Sequence, residues 1–396
     1  MSPMISVLIV FLLAIPTYVT LSPTGDSCAK DAPDITVVFT GDIMIGRRVG
    51  QDIENNNDPY YPFRGIGDYL KDADLTVGNL ETCVSERGEP LEKGCVFRAS
   101  PKSLQGIKDA GIDIMTLANN HICDYGPDAT NDTMRYLDEY GIKYYGLWHQ
   151  GEKAGNASPP RPVFMEVKGI TFAFLGYGEY MDEGVVATAA STGPVPLDIA
   201  VMKADIEYAK TVADVVVVSI HWCRIPQWVK YKDQGQTDLC HELCDWGADI
   251  LANHGPHVLQ ETEYYNGSLI FYSLGNTVFD QHEPTSHYSM LPIIKMAGSK
   301  PVSMTLIPLV QNDEYNQFIP RGNVVEVKIG PGMYLDWNFY DTKLFSSDEA
   351  IVDYTGPEKG FGDLLMRPEA MLIMAVAVAL LFMAVLLATW RARGRK

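Results

Sequence analysis

The chain has 396 residues, of which 46% are hydrophobic and 20% are charged, with 34 glycines and 24 prolines. This balance is typical of a folded globular protein, and it excludes a disordered or collagen-like chain. The formal net charge is −19. An acidic surface repels the phosphate backbone, so we expect no nucleic-acid partner.

Both ends of the chain carry apolar segments that predict attachment to a membrane. Ala370–Thr389 contains no charged residue, and a stretch of this length crosses about 30 Å of hydrocarbon as a helix. We therefore predict a transmembrane helix over residues 369–390 and a basic cytoplasmic tail over residues 391–396, which leaves the main domain outside the cytoplasm. Residues 1–22 contain a second apolar run that is either a cleaved signal or an anchor, and the lack of a clear small-x-small cleavage site favours the anchor.

The seven cysteines favour disulfides over free thiols in a domain outside the cytoplasm. Cys83 and Cys95 bracket a charged, glycine-containing loop, as in a clasped hairpin. Cys123 and Cys223 each lie two residues from a histidine that we consider a candidate ligand. We expect bonds of this kind to fasten loops around the site, although spacing alone does not fix the connectivity.

Between the two ends, short Val- and Ile-rich runs alternate with helical patterns. The predicted strands are Ile35–Thr40, Leu75–Gly78, Ile112–Ala118, Ile170–Leu175, Val215–Ile220, Ile250–Ala252 and Leu269–Ser273. The predicted helices are Pro101–Ala110, Pro127–Tyr140, Asp198–Val212 and Thr237–Trp246. This alternation predicts an α/β fold with parallel strands covered by helices.

Beyond the alternating region, two further segments have their own patterns. Residues 286–355 are rich in β patterns and predict either a second sheet or an antiparallel addition to the first. Residues 356–368 contain Gly and Pro and are interpreted as a stem that leads to the membrane.

Polar side chains follow five of the predicted strands at the points where the strands end. They are Asp42, Glu81, Asn120 with His121, His221, and His254 with His257. Asp42, Glu81 and His221 alone are each more typical of a turn, a helix cap or packing, whereas the paired residues after the other two strands have no core role. Open α/β sheets bind ligands at this edge, so the joint pattern favours a site. Carboxylate, amide and imidazole donors together suit Zn, Mn or Fe better than Ca or Mg alone, with room for one or two ions.

The same residues lie in ordered blocks that resemble the CapA (PgsA) family over residues 35–280. The blocks are TGDIM at 40–44, NLE at 79–81, ANNH at 118–121, SIHW at 219–222, HGPHV at 254–258 and YSLGN at 272–276. The family is associated with synthesis or export of poly-gamma-glutamate capsule and is related to calcineurin-like metallophosphatases. The resemblance implies a metallophosphatase-like four-layer αββα sandwich in a domain over residues 33–285, on a membrane-anchored protein.

The resemblance also implies a role for each candidate residue. Asp42 and His257 would bind a first metal, Glu81 would bridge, Asn120, His221 and His254 would bind a second metal, and His121 would protonate the leaving group. Two departures from the metallophosphatase pattern are visible, because Met44 stands where a histidine is usual and Glu81 where an aspartate is usual.

Two functions follow from these expectations, and the sequence leaves open whether the protein is an enzyme. The first is a metal-dependent phosphoesterase-type hydrolase that serves a surface polymer such as poly-gamma-glutamate, together with synthase or export subunits. The alternative is a non-catalytic accessory that keeps the pocket to bind polymer or a partner.

Overall fold

The computed structural model describes residues 33–148, 162–179, 192–312 and 317–337. No helix within these ranges is long and apolar enough to cross a membrane. The predicted N-terminal segment 1–22, the stem 356–368, the transmembrane helix 369–390 and the tail 391–396 all lie outside the described residues.

The described helices are α1 (Arg47–Asn56), α2 (Gly67–Lys71), α3 (Leu104–Asp109), α4 (Gly126–Tyr140), α5 (Ile199–Val212) and α6 (Gln234–Trp246). The described strands are β1 (Asp34–Ile43), β2 (Leu75–Leu80), β3 (Cys83–Val84), β4 (Arg98–Ala99), β5 (Ile114–Thr116), β6 (Lys143–Tyr145), β7 (Leu147–Trp148), β8 (Val163–Val167), β9 (Ile170–Gly178), β10 (Gly193–Pro194), β11 (Val215–His221), β12 (Ile250–Ala252), β13 (Thr262–Tyr265), β14 (Ser268–Phe271), β15 (Asn276–Val278), β16 (Tyr288–Ala297), β17 (Lys300–Asn312), β18 (Gln317–Pro320), β19 (Val325–Lys328) and β20 (Tyr334–Leu335).

Two mixed sheets hold most of these strands. The first sheet has the order β18-β17-β16-β1-β2-β5-β6, with β15 beside β1 and β19 beside β17. Within it, β1, β2, β5 and β6 are parallel, whereas β16 pairs antiparallel with β1. The second sheet has the order β20-β13-β14-β12-β11-β9-β8, with a parallel centre and antiparallel edges. Of the β-rich segment after residue 286, β16 to β19 are therefore an antiparallel addition to the first sheet, whereas β20 pairs with β13 at the edge of the second sheet.

The two sheets pack face to face with helices on their outer faces. Val37 and Phe39 of the first sheet and Phe174 and Val217 of the second belong to one buried apolar cluster. A second cluster lies under α1, α3 and α4, and a third lies under α5 and α6. The layers are helix, sheet, sheet, helix, as predicted for the domain.

The helix ends follow the sequence signals where local chemistry sets them. Gly141 ends α4 in the left-handed conformation, and the Asp198 side chain accepts hydrogen bonds from the first turn of α5. The predicted start of α6 at Thr237 was three residues late. Asp233 and Gln236 form a reciprocal capping box that begins α6 at Gln234.

The predicted disulfides are wrong for the described cysteines. Cys83 is buried and its thiol lies 3.2 Å from the Phe97 carbonyl oxygen, whereas Cys95 is exposed, and both are free thiols. Cys123 is also a free, buried thiol that accepts a hydrogen bond from Thr130, so the predicted Cys123–Cys223 bond is not formed. Spacing along the chain did not reveal that these side chains point into different environments.

Candidate functional site

The candidate residues converge where the carboxyl ends of the two sheets meet. Asp42 is the penultimate residue of β1, Glu81 follows β2, and Asn120 and His121 follow β5 in the first sheet. His221 ends β11 in the second sheet and forms a parallel bridge with His254 after β12. The groups from both sheets are buried together, since Asp42 and Glu81 are 0% exposed and the site histidines 121, 221, 254 and 257 are at most 4% exposed.

Asp42 is held from both sheets. Its Oδ1 accepts a hydrogen bond from Asn79 Nδ2 at 2.9 Å and lies 2.9 Å from His254 Nδ1. Its Oδ2 lies 3.0 Å from His257 Nδ1. Burial by itself would raise the pKa of Asp42, but the hydrogen bonds and charges of His254 and His257 outweigh it and hold the pKa well below the ordinary value. Asp42 is therefore an anion in the site.

Glu81 faces three imidazoles. Its Oε1 lies 3.5 Å from His257 Nε2 and 3.9 Å from the Nε2 atoms of His121 and His221. This oxygen has no hydrogen-bond partner among the described residues. Burial raises the pKa of Glu81 well above its ordinary value, and the nearby Asp42 adds to the effect while His257 opposes it.

The pocket shifts the pKa values of His257 and His221 in opposite directions. Burial opposes the charged form of His257, but the carboxylates of Glu81 and Asp42 outweigh it and raise the pKa of His257 to about 9. Burial lowers the pKa of His221 well below its ordinary value, despite the attraction of Asp42. His221 is therefore neutral at pH 7, with a buried Nδ1 that has no hydrogen-bond partner among the described residues.

His121 is held by Asp124, which lies three residues further along the chain. His121 Nδ1 lies 2.7 Å from Asp124 Oδ2. Since an ionised carboxylate only accepts, Nδ1 carries the proton and Nε2 presents its lone pair toward Glu81. Burial lowers the pKa of His121 to about 4, although Asp124 opposes this shift.

Four asparagines support the site, and none of them was predicted from the sequence to have a role. Asn79 Nδ2 contacts both Asp42 and Glu81, and Asn79 Oδ1 accepts from Asn119 Nδ2 at 2.9 Å. Asn253 Oδ1 accepts from the Ile220 backbone N–H, and Asn276 Oδ1 lies 3.0 Å from His257 Nδ1. Three of the four, Asn79, Asn119 and Asn276, lie within the sequence blocks that carried the prediction, and Asn253 immediately precedes one. The usable signal was therefore their adjacency to the ligand candidates.

Met44 does not enter the site. Its side chain is 0% exposed and belongs to the apolar cluster under α1. Its sulfur accepts the Gly46 backbone N–H at 3.2 Å. The position that is usually histidine in metallophosphatases is thus used here for packing beside the loop that enters α1.

The donor set fits a metal ion. One ligand atom each from Asp42, Glu81 and His221 lie within 4.8 Å of one another. Glu81 Oε1, His221 Nδ1 and Asn120 Oδ1 are buried and have no hydrogen-bond partner among the described residues. Unpaired buried polar atoms are costly unless something coordinates them. A mixed oxygen and nitrogen set is what Zn, Mn and Fe prefer.

Fold and site together define a two-sheet α/β sandwich with a buried carboxylate–imidazole centre at the carboxyl ends of its strands. The chain belongs to the bacterial capsule synthesis protein PGA_cap family, whose model matches residues 36–281. The family predicted from the sequence blocks is thereby confirmed.

Two curated relatives share 32% sequence identity with the chain. The capsule biosynthesis protein CapA of Bacillus anthracis aligns over 288 residues, which are 71% of this chain and 68% of that protein. The PGA biosynthesis protein CapA of Bacillus subtilis aligns over 249 residues, which are 62% of this chain and 64% of that protein. Among solved structures, a novel phosphatase from Mycoplasma pneumoniae covers 75% of this chain and 94% of its own, with 13% identity and a TM-score of 0.41.

Proposed function

We propose that the protein is a metal-dependent hydrolase of the phosphoesterase type that acts in synthesis or export of a surface polymer. The observation that carries the proposal is the group of buried, unpartnered donor atoms on Glu81, Asn120 and His221 beside the Asp42 carboxylate. Buried polar atoms without a hydrogen-bond partner destabilise a packed core, whereas a metal ion needs such free lone pairs as ligands. Membership of a capsule synthesis family supports the polymer as the biological context.

The ion would be held by the residues that the sequence singled out. They are Asp42, Glu81, Asn120, His221, His254 and His257. When bound, a divalent ion supplies Lewis acidity that activates water near neutral pH and offsets the charge of a phosphoryl group. The metal is one of Mn, Fe or Zn on the chemistry of the donors.

His121 would donate the proton that the leaving group takes up. Asp124 fixes the ring so that Nε2 is the atom facing Glu81, 3.9 Å away. The ring is neutral at pH 7 because burial lowers its pKa to about 4. An anionic group bound beside Nε2 would raise its proton affinity, which is the direction that protonation of a leaving group requires.

A non-catalytic accessory subunit is the second candidate function. The observation that favours it is Met44, since a buried thioether in the core replaces one expected histidine ligand. In this case the pocket would bind polymer or a synthase or export subunit without turnover.

We further propose that the protein is anchored in the cell membrane with its main domain outside the cytoplasm. The support is the uncharged run Ala370–Thr389 followed by four basic residues within 391–396. Fusing a reporter after residue 396 tests the orientation. Activity of a reporter that works only in the cytoplasm is expected, and activity of one that works only outside would contradict it.

Elemental analysis of the purified full-length protein tests the metal centre. We expect about one or two equivalents of Mn, Fe or Zn in the native protein, as in other hydrolytic metal sites. Asp42→Asn and His221→Gln should lose the ion while retaining a cooperative unfolding transition.

His241→Gln is the matched control, because His241 also pairs with a glutamate, Glu263, but lies outside the site. Its metal content should equal that of the native protein. Bound metal together with turnover of a chromogenic phosphodiester supports the hydrolase. Bound metal without turnover of any phosphoester supports the accessory function, and no bound metal after reconstitution would overturn the hydrolase proposal.

A further inference from the structure

We propose that Lys93 and Phe97 are positioning residues for His121. Both lie on the loop of residues 85–97 that connects β3 to β4, here named the 85–97 loop. The importance of these two residues for catalysis rests on the proposed function, whereas their role in holding the imidazole of His121 does not.

The 85–97 loop contacts every acceptor group of Asp124. The Leu91 backbone N–H donates to the Asp124 carbonyl oxygen at 2.8 Å. Lys93 Nζ lies 2.5 Å from Asp124 Oδ1, and the Phe97 backbone N–H donates to Oδ2 at 2.5 Å. The remaining contact of Oδ2 is His121 Nδ1. The carboxylate that orients His121 is thus itself oriented by this one loop.

Lys93 makes this buried carboxylate possible. Asp124 is 0% exposed and the Lys93 side chain is 12% exposed. Removing the partner of a buried ion pair leaves an uncompensated charge, so the ammonium group is the counter-ion of this carboxylate and holds it in position. Lys93 Nζ also donates to the Asn120 carbonyl oxygen at 2.7 Å. One ammonium group therefore contacts both Asn120 and Asp124, the residues on either side of His121 in this turn.

Phe97 restrains the imidazole from a second direction. Its ring stacks on the His121 ring with centroids 3.8 Å apart and planes at 22°. The Phe97 ring is in turn packed edge-on against Phe279 at 5.8 Å. The same residue thus supports the face of the imidazole and donates its backbone N–H to the carboxylate behind it. Stacking and the Nδ1 hydrogen bond together leave Nε2 facing the site.

A purely structural role for Lys93 would fasten the loop without affecting the imidazole. The two roles differ in what they predict for the ring, since only positioning requires Lys93 to define the tautomer and orientation of His121. Lys210 offers a matched comparison. Its Nζ lies 2.7 Å from Asp249, and Asp249 accepts the Val216 backbone N–H at 2.8 Å, so it repeats the Lys93 chemistry away from the site.

The first test is ¹⁵N NMR of the imidazoles in full-length protein labelled at histidine, with His121→Gln used for assignment. We expect a single Nδ1–H tautomer for His121 in the native protein and in Lys210→Met. In Lys93→Met and in Phe97→Leu, we expect the His121 signals to shift toward tautomer averaging. Phe97→Leu keeps the backbone N–H and removes only the ring, so it remains informative if Lys93→Met does not fold. Unchanged His121 shifts in the folded variants would overturn the proposal.

The second test is steady-state turnover of bis(para-nitrophenyl) phosphate. We expect Lys93→Met to lower kcat by roughly 10- to 100-fold with KM nearly unchanged, as for other residues that orient site groups. Lys93→Arg should recover part of the loss because it keeps the charge, and Lys210→Met should match the native protein. Equal kcat values in native and Lys93→Met proteins would overturn the proposal that positioning of His121 by Lys93 matters for catalysis. If the native protein turns over neither this substrate nor any other phosphoester, the hydrolase proposal fails, and the NMR result still decides the positioning role.

Discussion

At the residue scale, His257 is the cation that holds the two site carboxylates together. Its Nδ1 lies 3.0 Å from Asp42 Oδ2 and its Nε2 lies 3.5 Å from Glu81 Oε1. The residue adopts a left-handed backbone with φ of 59°, a conformation that is costly for a side chain of this size. The surrounding contacts therefore fix His257 in an arrangement that the isolated segment would avoid.

The pKa of His257 predicts how the stability of the chelated protein depends on pH. Burial opposes protonation, but Glu81 and Asp42 raise the pKa of His257 to about 9, above the value of about 6.5 expected in the unfolded chain. The folded state therefore binds more protons, so this contribution is complete below about pH 6.5 and is lost as the pH rises through about 9. The raised pKa of Glu81 acts in the same direction. Urea unfolding between pH 6 and 9.5 should show stability falling by on the order of 1–3 kcal/mol.

The control for this pH dependence is a pair of histidine variants. His257→Asn should flatten the slope, whereas His241→Asn, outside the site, should keep it. An unchanged slope in His257→Asn would show that other groups cause the pH dependence.

Gly41, immediately before Asp42, has no room for a side chain. A Cβ there would lie 2.1 Å from the Gly275 carbonyl oxygen, which also accepts the Asp42 backbone N–H at 2.9 Å. Because the contact is with backbone, Gly41→Ala should reduce the free energy of unfolding by about 1–3 kcal/mol or more. Urea denaturation measures this. Gly330→Ala, where a Cβ meets nothing within 4 Å, should be within about 0.5 kcal/mol of the native protein, and equal stabilities for both variants would contradict the close approach.

At the scale of elements, β16 and β17 complete the sheet that carries Asp42. β16 pairs antiparallel with β1 along Asp34–Val38. Met290, Ile294, Met304 and Leu306 from these two strands belong to the apolar cluster between the sheets. The segment after residue 286 is therefore part of the core of the domain that carries the site, and it is not an appendage.

A chain that ends at residue 285 should not fold. It would leave β1 as an open edge and remove buried apolar residues from the cluster between the sheets, which favours aggregation. We expect a fragment of residues 33–285 to be insoluble, whereas residues 33–337 should be soluble with a cooperative transition in circular dichroism. A soluble, cooperatively unfolding 33–285 fragment would contradict this role of β16 and β17.

At the scale of the whole molecule, the cysteines differ in reactivity according to where the fold places them. Burial raises the pKa of Cys83 to about 12 and that of Cys123 to about 11. A buried thiol with a raised pKa reacts slowly, because the thiolate is the reactive form. Cys95 is exposed. Burial therefore protects the Cys83 and Cys123 thiols from reaction.

Alkylation without reductant tests this placement. In the native protein, iodoacetamide should modify Cys95 first, and Cys83 and Cys123 should react only after denaturation. Peptide mass spectrometry identifies the modified residues. Recovery of a Cys83–Cys95 or Cys123–Cys223 linked peptide would contradict the structure.

The sequence by itself determined the features that depend on neighbours along the chain. The alternation of apolar runs and helices predicted parallel strands covered by helices, Gly141 and Asp198 predicted helix ends, and polar residues at strand ends predicted a site. These features are local, because strand and helix periods and caps involve residues within about four positions of each other. The family resemblance added the four-layer arrangement and a role for each candidate ligand.

Only the tertiary structure decided which distant groups meet. Asp42 and His254 are 212 positions apart along the chain and lie 2.9 Å apart in space. Lys93 lies on a loop with no ligand pattern of its own, yet it reaches Asp124. Cys83 and Cys95 are near in sequence but lie in different environments. Such pairings result from how whole sheets and loops pack, and no local period or spacing encodes them.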